Sequence, residues 1–77
     1  MKELLLAIVE GLVEDKDAIQ ITEDLPNDEG IIVFHLHVAQ SDMGRVIGKQ
    51  GRIAKAIRTV MRAGAARNDI KVLLEIE

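Results

Sequence analysis

Apolar residues along this chain recur first at helical spacing, then in alternation, and then repeat the same change. Over residues 2–14, Leu5, Ile8, Val9 and Leu12 stand at i, i+3, i+4 and i+7, with Glu3, Glu10 and Glu14 elsewhere. That spacing predicts an amphipathic helix. Gly11 inside it costs about 1 kcal/mol relative to alanine, so the helix is expected to end early or fray there. Residues 17–23 alternate, with Ile19 and Ile21 against Ala18, Gln20 and Thr22, which predicts a strand. The cluster Pro26-Asn27-Asp28-Glu29-Gly30 predicts a turn. Residues 31–38 are rich in β-branched side chains and place Ile32, Phe34, Leu36 and Val38 on one face. This second strand is expected to pair with the first as an antiparallel hairpin, because the connection is short.

Helical spacing then returns. Ser41 is a suitable N-cap for a short helix through Asp42 to Ile47. Gly48 and Gly51 interrupt it, and a longer helix is predicted from Arg52 to Arg67. Its inner face is expected to carry Ile53, Ile57, Val60, Met61 and Gly64, with Arg52, Lys55, Arg58, Thr59 and Arg62 on the other side. Asn68-Asp69 ends the helix, and Ile70, Val72, Leu74 and Ile76 alternate in a last strand over 70–76. The order α-β-β-α-α-β predicts an α+β fold, a three-stranded sheet with three helices packed on one face. No repeat, linker or low-complexity segment divides residues 1–77, which are expected to form one domain.

Composition adds exclusions. The 77 residues include no cysteine, which removes disulfides and thiolate metal sites, and Phe34 is the only aromatic residue. The apolar run Leu4 to Val9 lies between Glu3 and Glu10 and is too short for a signal peptide or a membrane span. A soluble, cytoplasmic protein is the expectation.

Charge changes the picture more. The net charge is −3, but it is unevenly distributed. Residues 1–40 hold two basic and nine acidic side chains, whereas residues 41–77 hold eight basic and four acidic ones. Between Gly44 and Arg67 there are seven basic residues and no acidic one. A polyanion responds to that local field and not to the average.

The basic half contains Val46-Ile47-Gly48-Lys49-Gln50-Gly51-Arg52-Ile53. Two glycines three apart let a loop turn sharply and bring its backbone close to a ligand. A helix starts at the loop, so its unpaired N–H groups and positive dipole end suit a phosphate. Lys49 and Arg52 are the strongest candidates for added charge, followed by Arg45 and Lys55. Val46, Ile47 and Ile53 anchor the loop to the core. The competing reading, a turn chosen for shape alone, leaves the agreement of loop, helix start and charge unexplained. Arg58, Arg62 and Arg67 are expected to be a solvated face or to act only at long range.

Ile-Gly-Lys-x-Gly followed by a basic helix resembles the KH domain, whose GXXG loop clamps about four nucleotides by their backbone. The element order is similar to the type II arrangement, and the resemblance covers the whole chain. It is nearest to the small stand-alone bacterial RNA-binding proteins of the KhpA type. The resemblance implies that Gly48, Lys49, Gln50 and Gly51 form the clamp, and that Val46, Ile47 and Ile53 floor an apolar groove for bases. It further implies single-stranded RNA as partner, a non-catalytic role as RNA chaperone or post-transcriptional regulator, no cofactor, and a homodimer or a pair with another RNA-binding protein. A groove of this type reads bases chiefly by hydrogen bonds, so the scarcity of aromatic residues counts less here than in an RRM.

Other chemistries fit less well. Gly44 to Gly48-Lys49 has three intervening residues where a P-loop needs four, and Gln50 stands where Ser or Thr is required. No strand runs directly into the glycines, which removes a dinucleotide fingerprint. His35 and His37 face the same way on one strand, but no third ligand stands at a metal-site spacing, and no metal is expected. They are expected on the open sheet face with Gln20 and Thr22. No nucleophile–base pair marks an enzyme. The remaining alternative is a protein-interaction module on a KH-like fold, motivated by the acidic N-terminal half, the low net charge and the small core, with dimerisation as its main role.

Overall fold

A computed structural model describes all residues, 1–77. The first helix, α1, spans Lys2–Glu10 and stops where Gly11 closes it, earlier than the apolar spacing through Leu12 suggests. Leu12 and Val13 still pack against the core after the helix ends. A single 3-10 turn, Lys16–Ala18, replaces the start of the predicted first strand, and β1 is Gln20–Glu23. β2 spans Ile31–His37 and pairs antiparallel with β1, with Ile21 opposite Leu36 and Thr22 opposite His35. Asn27 builds the turn between them: its side-chain oxygen accepts the amides of Glu29 and Ile31.

A second 3-10 turn, Gln40–Asp42, leads into α2, Met43–Ile47. Ser41 lies inside that turn, exposed and without a capping hydrogen bond, so the expected Ser41 N-cap is not formed. The reason is that the helical turn begins one residue earlier and Asp42 occupies the boundary. α3 runs from Arg52 to Arg67, as the spacing predicts. Its inward track, however, is Ala54, Ile57, Met61 and Ala65. Val60, expected inside, is 45% exposed. Small side chains at 54 and 65 let α3 approach the core closely, and this rotates Val60 out to the helix flank.

β3, Lys71–Ile76, lies parallel to β2 on the side opposite β1, giving the order β1-β2-β3. A parallel neighbour requires a long crossover, and α2 and α3 supply it. Register puts Ile21, Leu36 and Ile76 in one row and Thr22, His35 and Glu75 in the next. Successive rows therefore face alternately toward the helices and away from them. All three helices cover one face, where Leu5, Val9, Phe34, Leu36, Val46, Ile57 and Met61 share one core. The result is the type II KH arrangement, α-β-β-α-α-β on a mixed three-stranded sheet.

On the uncovered face the sheet assembles what sequence spacing could not. His35 Nε2 lies 2.9 Å from Asp24, and its Nδ1 lies 2.6 Å from Glu77 and 3.5 Å from Glu75. Hydrogen bonds to Asp24, then Glu77, hold the His35 pKa above its ordinary value, against a smaller effect of desolvation. The acidic neighbours absent from the linear spacing thus come from the parallel strand and the hairpin exit. His37, two residues on, is exposed and has no such set.

Candidate nucleic-acid interface

The backbone between α2 and α3 is the most unusual in the chain. Gly48 has φ 75° and ψ 175°, Gln50 φ 57° and ψ 25°, and Gly51 φ 74° and ψ 15°. The Gly48 conformation belongs to a region that only glycine occupies without heavy strain. A Cβ there would also stand 2.6 Å from Ile53 Cγ1 and 3.0 Å from the Ile53 amide nitrogen. Gly51 is in the ordinary left-handed region and a Cβ would meet nothing within 4 Å. The two glycines thus serve different needs: Gly48 permits close approach of α2 to α3, and Gly51 permits the chain reversal that starts α3. The Gly51 amide donates to the Gly48 carbonyl at 3.2 Å and closes the loop.

Gly51 is the N-cap of α3, and no side chain caps that end. No acidic residue stands in the first turn either. The positive end of a sixteen-residue helix is therefore not offset by the protein's own carboxylates. Lys49, Gln50, Arg52 and Lys55 are exposed around it. Among the basic residues from 44 to 67, only Arg45 has a carboxylate partner. Lys49, Arg52 and Lys55 carry charge that the fold does not use internally.

The remaining sequence candidates separate by burial. Val46 is fully buried in the core, whereas Ile47 is exposed and Ile53 partly so. Of the three apolar residues, Val46 holds the loop's root and the other two reach the surface. Arg45 points to Glu14 and Asp42 and is engaged by both. Arg58, expected to be only a solvated charge, is part-buried and its Nε donates to the Leu74 carbonyl at 3.4 Å, tying α3 to β3.

Asp42 is the residue whose role the sequence hid. It is 2% exposed, the only buried charged side chain. Its Oδ1 accepts the Glu14 amide at 3.1 Å and its Oδ2 accepts the Asp15 amide at 3.1 Å. Arg45 Nε lies 3.2 Å from Oδ1. Those two amides, followed by Arg45, keep the Asp42 carboxyl below the usual carboxylate range, outweighing the opposing effect of burial. In sequence it is one more acid at a helix start; its partners lie 27 and 28 residues away.

A family model described as the KhpA/KhpB KH domain matches residues 2–76. An RNA-binding protein KhpA of Clostridium acetobutylicum is 50% identical over 76 residues, which cover 99% of each chain. One from Listeria monocytogenes is 49% identical over 99% of this chain and 97% of its own length. Another from Chlamydia pneumoniae is 42% identical over 99% of this chain and 95% of its own.

Proposed function

The chain belongs to the KhpA/KhpB KH-domain family, and from that premise we propose that its Gly48–Gly51 loop clamps the backbone of short single-stranded RNA. The observation that carries this reading is the uncapped, acid-free start of α3 beside exposed Lys49 and Arg52. Phosphate oxygens are acceptors of the right charge for that place. Lys49 and Arg52 contribute charge at the loop, and Lys55 extends the field one turn along α3. Ile47 and Ile53 offer apolar surface to the adjoining bases. Selection of RNA over DNA comes from the family, since nothing in the loop reads a 2′-hydroxyl.

The role is non-catalytic: an RNA chaperone or post-transcriptional regulator working in the cytoplasm, with residues 1–77 acting as one KH unit. One clamp of this size makes few phosphate contacts, so its affinity is weak and salt-sensitive. A second clamp on the same strand raises avidity without new contacts. The surface suited to a second copy is the apolar groove of about 330 Å³ between α1 and α3, lined by Ile8, Leu12, Ala56, Ile57 and Val60, with Arg52 and Ile53 where it meets the loop.

Replacing Lys49 and Gln50 together by Asp tests the clamp. Both side chains are exposed, so the fold is expected to survive with an unchanged circular-dichroism spectrum, while RNA binding by fluorescence anisotropy is lost. Unchanged affinity in that variant contradicts the proposal.

A further inference from the structure

Asp42 lies outside the loop, yet it accepts two of the three side-chain hydrogen bonds that join the loop's root to the rest of the chain. Burying a carboxylate is costly unless donors surround it. Here two amides and a guanidinium do so. The carboxylate stands immediately before α2, a helix of five residues. A helix that short has no independent stability and takes its orientation from what holds it. Every side-chain hydrogen bond that leaves residues 40–51 runs back to Glu14 or Asp15. Apolar contact is added by Val46, buried on the core side of α2, and by partly buried Met43.

The far end of α2 is Gly48, whose backbone touches Ile53 so closely that no Cβ fits. Conformations such as those of Gly48 and Gln50 persist only where the surroundings fix both ends. α3 fixes one end, through Ala54, Ile57, Met61 and Ala65 packed in the core. At the other end Val46 and partly buried Met43 pack against the core, and apolar contact of this kind leaves a short helix free to slide and turn. The Asp42 carboxylate supplies a second point of attachment, on the connection that follows α1.

We infer that Asp42 is a positioning residue for nucleic-acid binding: its buried carboxylate locks the root of α2 to the Glu14–Asp15 backbone and so presents Gly48–Gly51 in the clamping conformation. Arg45 is then the counter-ion of Asp42 and not a phosphate ligand. The inference rests on the RNA-clamp reading above.

The test uses the full chain and a fluorescein-labelled short single-stranded RNA of mixed sequence, titrated at several salt concentrations. In Asp42→Asn the side-chain NH2 faces a backbone N–H, and the lock fails. A loop competent for only a fraction of the time weakens binding by that fraction but makes the same contacts when it binds. Affinity is therefore expected to fall roughly tenfold at every salt concentration, the size of losing a buried hydrogen-bond partner. The slope of log affinity against log salt stays that of the unaltered chain. Lys49→Gln, by contrast, lowers that slope by about 0.7, the value for one phosphate contact on a single strand.

Hydrogen exchange provides a second readout, independent of RNA. Amides of Gly48 to Gly51 are expected to exchange faster in Asp42→Asn while those of β2 keep their protection. Should that variant fold poorly, Arg45→Met takes its place, with faster loop exchange and an unchanged salt slope expected. Wild-type affinity with unchanged loop exchange overturns the inference. So does a slope that drops in Arg45→Met by the amount of one phosphate contact. If the unaltered chain binds no RNA, the clamp reading fails, and loop exchange alone still decides for or against Asp42 as the lock.

Discussion

At the scale of single residues, the loop's two glycines are not equivalent. Gly48→Ala combines a glycine-only backbone with a contact of 2.6 Å to Ile53, so the neighbour on α3 must move. It is expected to cost about 1–3 kcal/mol for the backbone alone. In a domain of this length that lowers the thermal midpoint by on the order of ten degrees. Gly51→Ala meets no neighbour and carries only left-handed strain, about 1–2 kcal/mol. Gly51→Asn is expected to cost less still, since asparagine tolerates that region. Differential scanning calorimetry checks the ranking; equal losses at 48 and 51 contradict the distinction. The sequence shows both glycines but not this difference. It depends on where α3 brings Ile53, which no local pattern encodes.

At the scale of elements, two ionic clusters join segments distant in the chain, and their pH dependences run in opposite directions. The Asp42 carboxyl is held below its ordinary value of 3.8 by the Glu14 and Asp15 amides. A depressed folded value means that its contribution to stability is complete above the unfolded pKa and lost as pH falls through the folded one. Acid unfolding is therefore expected to steepen below about pH 3.8, and Asp42→Asn to flatten that limb of a urea-denaturation series. His35 behaves oppositely. Its folded pKa is raised above 6.5 by Asp24 and Glu77, so its contribution is complete below 6.5 and lost as pH rises through the folded value. His35→Gln is expected to remove a decline in stability on the alkaline side of 6.5, measured in the same series.

Helices and strands were themselves largely legible in the sequence. The periods 3.6 and 2 placed α3 at its ends, the hairpin in its pairing, and β3 to within a residue. Three features escaped. Ser41 does not cap α2, because a 3-10 turn over Gln40–Asp42 carries the chain into that helix. Val60 turned outward because Ala54 and Ala65, weak signals in any hydrophobic pattern, form the packed track. Asp42 gave no signal, because its partners are backbone amides and carry no side-chain identity for a motif to record.

At the scale of the whole molecule, an acidic N-terminal half and a basic C-terminal half fold around one core, and the basic residues of α3 and the loop before it are left without acidic partners, Lys49, Arg52 and Lys55 standing at the helix start. No helix is long and apolar enough to cross a membrane. If a second copy covers the α1–α3 groove, Val60→Asp is expected to shift sedimentation toward the monomer. It is also expected to erase any preference for RNA long enough to span two loops. An unchanged sedimentation coefficient across the same concentrations contradicts that use of the groove.

The clamp itself is tested most directly by following backbone amide resonances while a short single-stranded RNA is added. The expected result is that shifts concentrate on Gly48 to Lys55, weaken as salt is raised, and leave the acidic hairpin from Glu23 to Glu29 unmoved. Shifts confined to the hairpin or the open sheet face, with the loop silent, contradict the account.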